Sequence, residues 1–101
     1  MDSNLNQEPM MKTLPGHVAH YKSTPVFTEH TVPGALQRNH NTAAGVWGRI
    51  TILEGELLYH ISEPERETIR LTPQQPGIVE PRIQHEVEVI GPVRFQVDFH
   101  R

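Results

Sequence analysis

Apolar and polar residues alternate in short runs along most of this chain, and glycine or proline closes nearly every run. The clearest run is Val93 to His100, with Phe95, Val97 and Phe99 on one face and Gln96, Asp98 and His100 on the other. Such period-two alternation marks a strand with one buried face. His85 to Ile90 repeats it, opposing His85, Val87 and Val89 to Glu86 and Glu88. Val46 to Leu53 reads as a further strand, and Glu56 to Ile61 as its hairpin partner across a tight turn at Glu54-Gly55. Gly91-Pro92 reads as the last turn. Shorter strands are expected at Val18 to Lys22, Ala35 to His40, Thr68 to Leu71 and Ile78 to Pro81, with Pro25-Val26-Phe27 extended. Ser62 to Glu67 reads as a charged loop, and Pro73 to Gly77 as another turn.

No window carries a sustained apolar period of 3.6 residues, and nine scattered prolines oppose long helices. Many short strands at this spacing predict an all-β sandwich or barrel. Residues 1–16 are polar, hold two prolines and show no period, so they read as a flexible N-terminal extension. Residues 17–101 then form a single domain, the amount of chain one small core can organise.

Composition narrows the partners. Nine basic against twelve acidic residues give a net charge of −3, with no basic stripe, so duplex nucleic acid is not expected. No apolar run approaches the ~18–20 residues of a membrane span, and the first twelve residues carry no secretory apolar segment. A cytoplasmic protein is the expectation. Cysteine is absent, which excludes disulfides, thiolate nucleophiles and cysteine-based zinc sites. Hydrophobic residues make up 36% of the chain, enough for a core but not a generous one, so a homodimer is expected to bury more surface.

The strings His40-Asn41-Thr42, Gly45-x-Trp47-Gly48, Leu53-x-Gly55-x-Leu57 and Glu80-Pro81-x3-His85-x2-Glu88 resemble one known family. It is the small cupin-type family that includes the N-terminal domain of the tellurite-resistance protein TehB and the stand-alone YeaR-like proteins. The resemblance runs from about Tyr21 to Phe99. It implies a cupin-like double-stranded β-helix, a jelly-roll barrel, and an association with tellurite or oxidant resistance. The methyltransferase activity of TehB resides in a separate domain. This chain has neither a glycine-rich loop nor a βαβ pattern, so methyl transfer is not carried over.

Metal-binding cupins use a His-x-His, a Glu and a further His after a Gly/Pro turn. Here Gly77, Pro81 and His85 match the second half, while His40 stands alone in the first. His40 and His85 are therefore the candidate metal ligands. Imidazole suits zinc, iron, nickel or manganese, but two ligands make a weak site and call for a third. Trp47, Arg49, Tyr59, Glu80 and Asp98 are the candidate lining of a ligand pocket. Arg49, with Arg38, suits an oxyanion or carboxylate. Strand parity argues against Asp98 if Phe95, Val97 and Phe99 face the core. Three functions remain open: a module binding a divalent metal, a small anionic ligand or both; a metal-dependent oxygenase or isomerase acting on a small organic acid; and a metal-free sensing or interaction module.

Overall fold

A computed structural model describes residues 12–101. The described part is all-β, with six strands and one 3-10 turn. The strands are β1 (His20–Ser23), β2 (Phe27–Thr28), β3 (Trp47–Ile61), β4 (Glu67–Leu71), β5 (Gly77–Val79) and β6 (His85–His100); the 3-10 turn is Gly34–Gln37. They form one antiparallel sheet in the order β1-β6-β3-β4, with β2 added on β6 and β5 on β3. This pairing is that of a bent open sheet.

The sheet is built on two long strands, β3 of 15 residues and β6 of 16, paired along almost their whole length. This corrects two expected turns. Glu54-Gly55 and Gly91-Pro92 do not reverse the chain; they face each other across one ribbon, with Gly55 opposite Val93. The register slips between Ile52 and Glu54 and again between Gly55 and Leu57. Gly55 has φ of 81°, and a Cβ there would collide with the Pro92 carbonyl oxygen. Glycine with positive φ serves a β-bulge as well as a hairpin turn. Here it bends a continuous strand and lets β3 change the parity of its buried face, from Ile50 and Ile52 to Leu57, Tyr59 and Ile61.

The expected alternation holds on β6, where His85, Val87, Val93, Phe95 and Val97 are buried. With Ile50, Leu57 and Leu71, the four apolar ones form the core on the inner face of the bend. Fully burying a side chain such as Phe95 or Leu57 stabilises the fold by about 1.5–3 kcal/mol. Gly77 is needed for close packing, because a Cβ there would stand 2.8 Å from Leu71 Cδ1 and 3.1 Å from Tyr59 Cδ2.

The expected strand at Ala35 to His40 is a second correction. Its first residues lie in the 3-10 turn, and only His40 pairs, by an isolated bridge to His85. Proline and glycine at 33–34 set this turn, and Leu36 reaches back to the core. Residues 29–46 thus form a covering segment between β2 and β3. Glu29 fixes its start by accepting a 3.0 Å hydrogen bond from the Val93 N–H, which holds the Glu29 carboxyl below its ordinary pKa. Of the expected extension, residues 1–11 lie outside the described residues; Lys12 pairs with Glu80.

Candidate functional site

The covering segment and the inner face of the sheet enclose a cavity of about 200 Å³. Ile50, Val79, Val87, Phe95 and Val97 line it from the sheet, and Pro33, Ala35 and Leu36 from the cover. Gly48 adds room on β3, at an inward position where its neighbours carry large apolar side chains. Two histidines also reach this cavity, His40 from the cover and His85 from β6. No lysine, arginine, aspartate or glutamate lines it.

Backbone pairing brings the histidines together. His40 N–H donates to the His85 carbonyl at 2.7 Å, and His85 N–H donates to the His40 carbonyl at 2.8 Å. Residues that exchange both bonds stand directly opposite, with side chains on one face. The rings meet edge to face, 5.5 Å between centroids and 87° between planes. Tyr59 flanks His85, its ring 5.8 Å away. Arg82 N–H donates to the Thr42 carbonyl and Asn39 N–H to Glu86 Oε1, which anchor the cover on either side of His40.

His85 is 5% exposed. Its Nδ1 lies 3.0 Å from the Ile83 carbonyl oxygen, which can only accept, so Nδ1 carries the hydrogen. Burial pushes the His85 pKa down; the Ile83 hydrogen bond opposes this, and His40 nearby adds to it. The ring is therefore neutral at pH 7 and keeps its lone pair on Nε2. Histidines that bind metals are commonly held in this way. However, among the described residues no third His, Asp, Glu or Cys completes a metal-holding group. On this donor set the residues do not fit a resident ion held by the protein alone, since stable sites use three or four protein ligands.

The other five candidates stand apart from the cavity lining. Tyr59 comes nearest: it is buried behind His85 and donates its hydroxyl to the Ile78 carbonyl at 3.0 Å. Burial, then the charges of Glu80 and Glu67, push its pKa up, so the phenol stays protonated. Glu80 is paired with Lys12. Trp47, Arg49 and Asp98 lie at positions that alternate with the buried ones, and Arg49 is directly opposite Asp98. Asp98 accepts from Ser23 and Gln96 on Oδ1 and from Thr51 on Oδ2. Burial pushes the Asp98 pKa up, but these hydrogen bonds and nearby His20 outweigh it and hold the carboxyl below its ordinary value. His20 Nε2 lies 2.7 Å from Ser23 Oγ, so the cluster ties β1 to β6.

Sequence reasoning did not find the covering segment, which supplies Pro33, Ala35, Leu36 and Thr42 to the cavity. Gly48 left a usable signal: a glycine at an inward strand position marks missing volume.

The model of the TehB-like domain matches residues 22–97. The chain belongs to the TehB-like domain family. Among similar proteins is the probable S-adenosyl-L-methionine-dependent methyltransferase TehB of Haemophilus influenzae (strain ATCC 51907 / DSM 11121 / KW20 / Rd), 35% identical over 75 residues. That match takes in 70% of this chain and 26% of the relative, so this TehB-like chain spans about a quarter of the length of such proteins. The crystal structure of TehB from Haemophilus influenzae superposes with a TM-score of 0.76 at 29% identity, covering 84% of this chain and 32% of that one. A crystal structure of a protein from E. coli (strain K12) superposes with a TM-score of 0.81 over 90% of this chain and 97% of that one. At 23% identity, the latter speaks for a shared fold. Among the described residues no helix is long and apolar enough to cross a membrane.

Proposed function

We propose that this TehB-like domain is a binding module for a small, largely apolar molecule seated between the sheet and its cover, with His40 and His85 at its polar end. The observation that carries this reading is the cavity of about 200 Å³, walled by aliphatic and aromatic side chains with one buried imidazole on its surface. An apolar cavity of about 150 Å³ is large enough for benzene. The lining favours a neutral ligand over an oxyanion, because it has no cationic side chain to pair with one, and Arg38 and Arg49 are exposed elsewhere. The methyltransferase name belongs to a longer relative. Here an all-β domain supports ligand capture, and any tie to tellurite resistance runs through what is captured. A cupin-type barrel is our reading of the fold, supported by a bent sheet whose inner face is roofed by the covering segment.

A divalent ion is the second reading, favoured by the Nδ1 bond that aligns His85 as a metal-binding histidine is aligned. It would need the ligand or water to complete its coordination. Homodimerisation is a separate expectation, decided by whether sedimentation equilibrium returns the 11.5 kDa chain mass or twice that.

Methyl NMR tests the main reading. Titration with benzene-sized fragments should give saturable shifts at Ile50, Val79, Val87 and Val97, and Ala35→Phe, which fills the cavity from the cover, should weaken them. Shifts no larger there than at Ile61, outside the lining, would reject it. Adding zinc or nickel to untagged protein separates the second reading, which predicts stoichiometric uptake lost in His85→Ala.

A further inference from the structure

We infer that the ligand presents an uncharged hydrogen-bond donor, an alcohol or phenol hydroxyl, to Nε2 of His85. This rests on the binding reading above and specifies its chemistry. The lining carries four polar side chains, Thr24, His40, Thr42 and His85. Thr24 Oγ1 donates to the Pro25 carbonyl and accepts from the Val97 N–H. Thr42 Oγ1 donates to the Val46 carbonyl. Both threonine hydrogens are therefore committed, and His40, unlike His85, is only half-buried. His85 Nδ1 gives its hydrogen to the Ile83 carbonyl. What remains on this 5%-exposed ring is the Nε2 lone pair, and no hydrogen-bond partner for it stands among the described residues. Buried acceptors are rarely left unpaired, because desolvation is then uncompensated.

The partner this atom accepts is constrained in sign. A bare imidazole nitrogen attracts an O–H or N–H and repels a carboxylate or an ether oxygen, which offer only lone pairs. With no Lys or Arg on the lining, an anion has no compensating charge elsewhere in the cavity. The apolar body follows from Phe27, Val79, Val87, Phe95 and Phe99, whose side chains ask for a ring or a branched alkyl group. Phenol combines the two requirements, and it is un-ionised near neutral pH.

The test compares phenol, toluene, anisole and benzoate on the full chain at pH 7.5 with EDTA present, so that no divalent ion occupies the imidazoles. Phenol should bind roughly tenfold tighter than toluene or anisole, the usual worth of one hydrogen bond to a buried acceptor. Benzoate should bind weakest. In ¹⁵N spectra of histidine-labelled protein, phenol and not toluene should shift the Nε2 resonance of His85 toward a hydrogen-bonded value. His85→Leu should bind phenol and toluene alike. Should that variant not fold, the wild-type series and its ¹⁵N shift decide alone. Equal affinity for phenol, toluene and anisole, or tighter binding of benzoate, would overturn the donor inference while leaving the module reading in place. Failure of all four to bind would overturn both.

Discussion

At His85, two kinds of interaction pull the protonation state in opposite directions, and burial wins. The ring is nearly inaccessible, its Nδ1–H is bound to Ile83, and the titratable rings packed against it are His40 across the bridge and the protonated Tyr59 behind. Neither neighbour supplies a negative charge, so the folded pKa lies below the ordinary value of 6.5. A group that binds its proton more weakly in the folded state makes the unfolded state the better proton acceptor. The His85 contribution to stability is therefore full above about pH 6.5 and declines as pH falls through that value toward the folded pKa. Urea titrations from pH 7.5 to 5 should show the midpoint of the wild type falling more steeply than that of His85→Gln. The difference between the two slopes isolates this residue from the other histidines. Parallel slopes would show that the ring titrates as freely in the folded chain as in the unfolded one.

The β3–β6 ribbon shows where a strand-level reading of sequence succeeds and where it fails. Alternation around Phe95 and Val97, and around His85 and Val87, gave the buried face correctly, because pleat and burial both have a period of two. Glu54-Gly55 and Gly91-Pro92 read as reversals in sequence, because a glycine able to take positive φ and a proline are what a turn needs too. Only the pairing, with both signals at the same height, shows one bend in a ribbon rather than two hairpins. The two glycines differ in what they require. Gly55 sits at φ of 81° against the Pro92 carbonyl, whereas a Cβ on Gly91 would have no neighbour within 4 Å. Gly55→Ala should therefore destabilise by at least about 2 kcal/mol, from backbone strain plus collision. Gly91→Ala should be neutral or slightly stabilising, by up to about 1 kcal/mol through the unfolded chain. Thermal denaturation of the two variants checks this, and equal losses would remove the bend from its place in the fold.

For the whole molecule, the cavity belongs to neither the sheet nor the cover but to their closure, and this explains how much of it was legible in sequence. His40 and His85 were found together because the resemblance joined two distant strings; their contact through a backbone bridge is visible only once the cover folds back. Trp47, Arg49 and Asp98 carry chemistry that suits a pocket, yet strand parity sends them away from the cavity. The cover itself was hidden, since residues 33–42 have no period and take their place from Leu36 packing and a few anchors. Those anchors are unequal. The His40 N–H is held by the His85 carbonyl at 2.7 Å, while the turn before it relies on single bonds from Leu36 to Pro33 and from Arg38 to Ala35. Local openings draw on segments with few buried contacts, so amides 34–38 should exchange hydrogen much faster than those of β3 and β6 in the free protein. A ligand in the cavity touches the underside of this segment, so saturating phenol should slow exchange at 34–40. The same addition should leave β4, which lies outside the lining, unchanged. Hydrogen-exchange mass spectrometry resolves the two regions. Protection spread evenly over both would mean that the ligand stabilises the fold globally, and protection confined to β4 would place it outside the cavity.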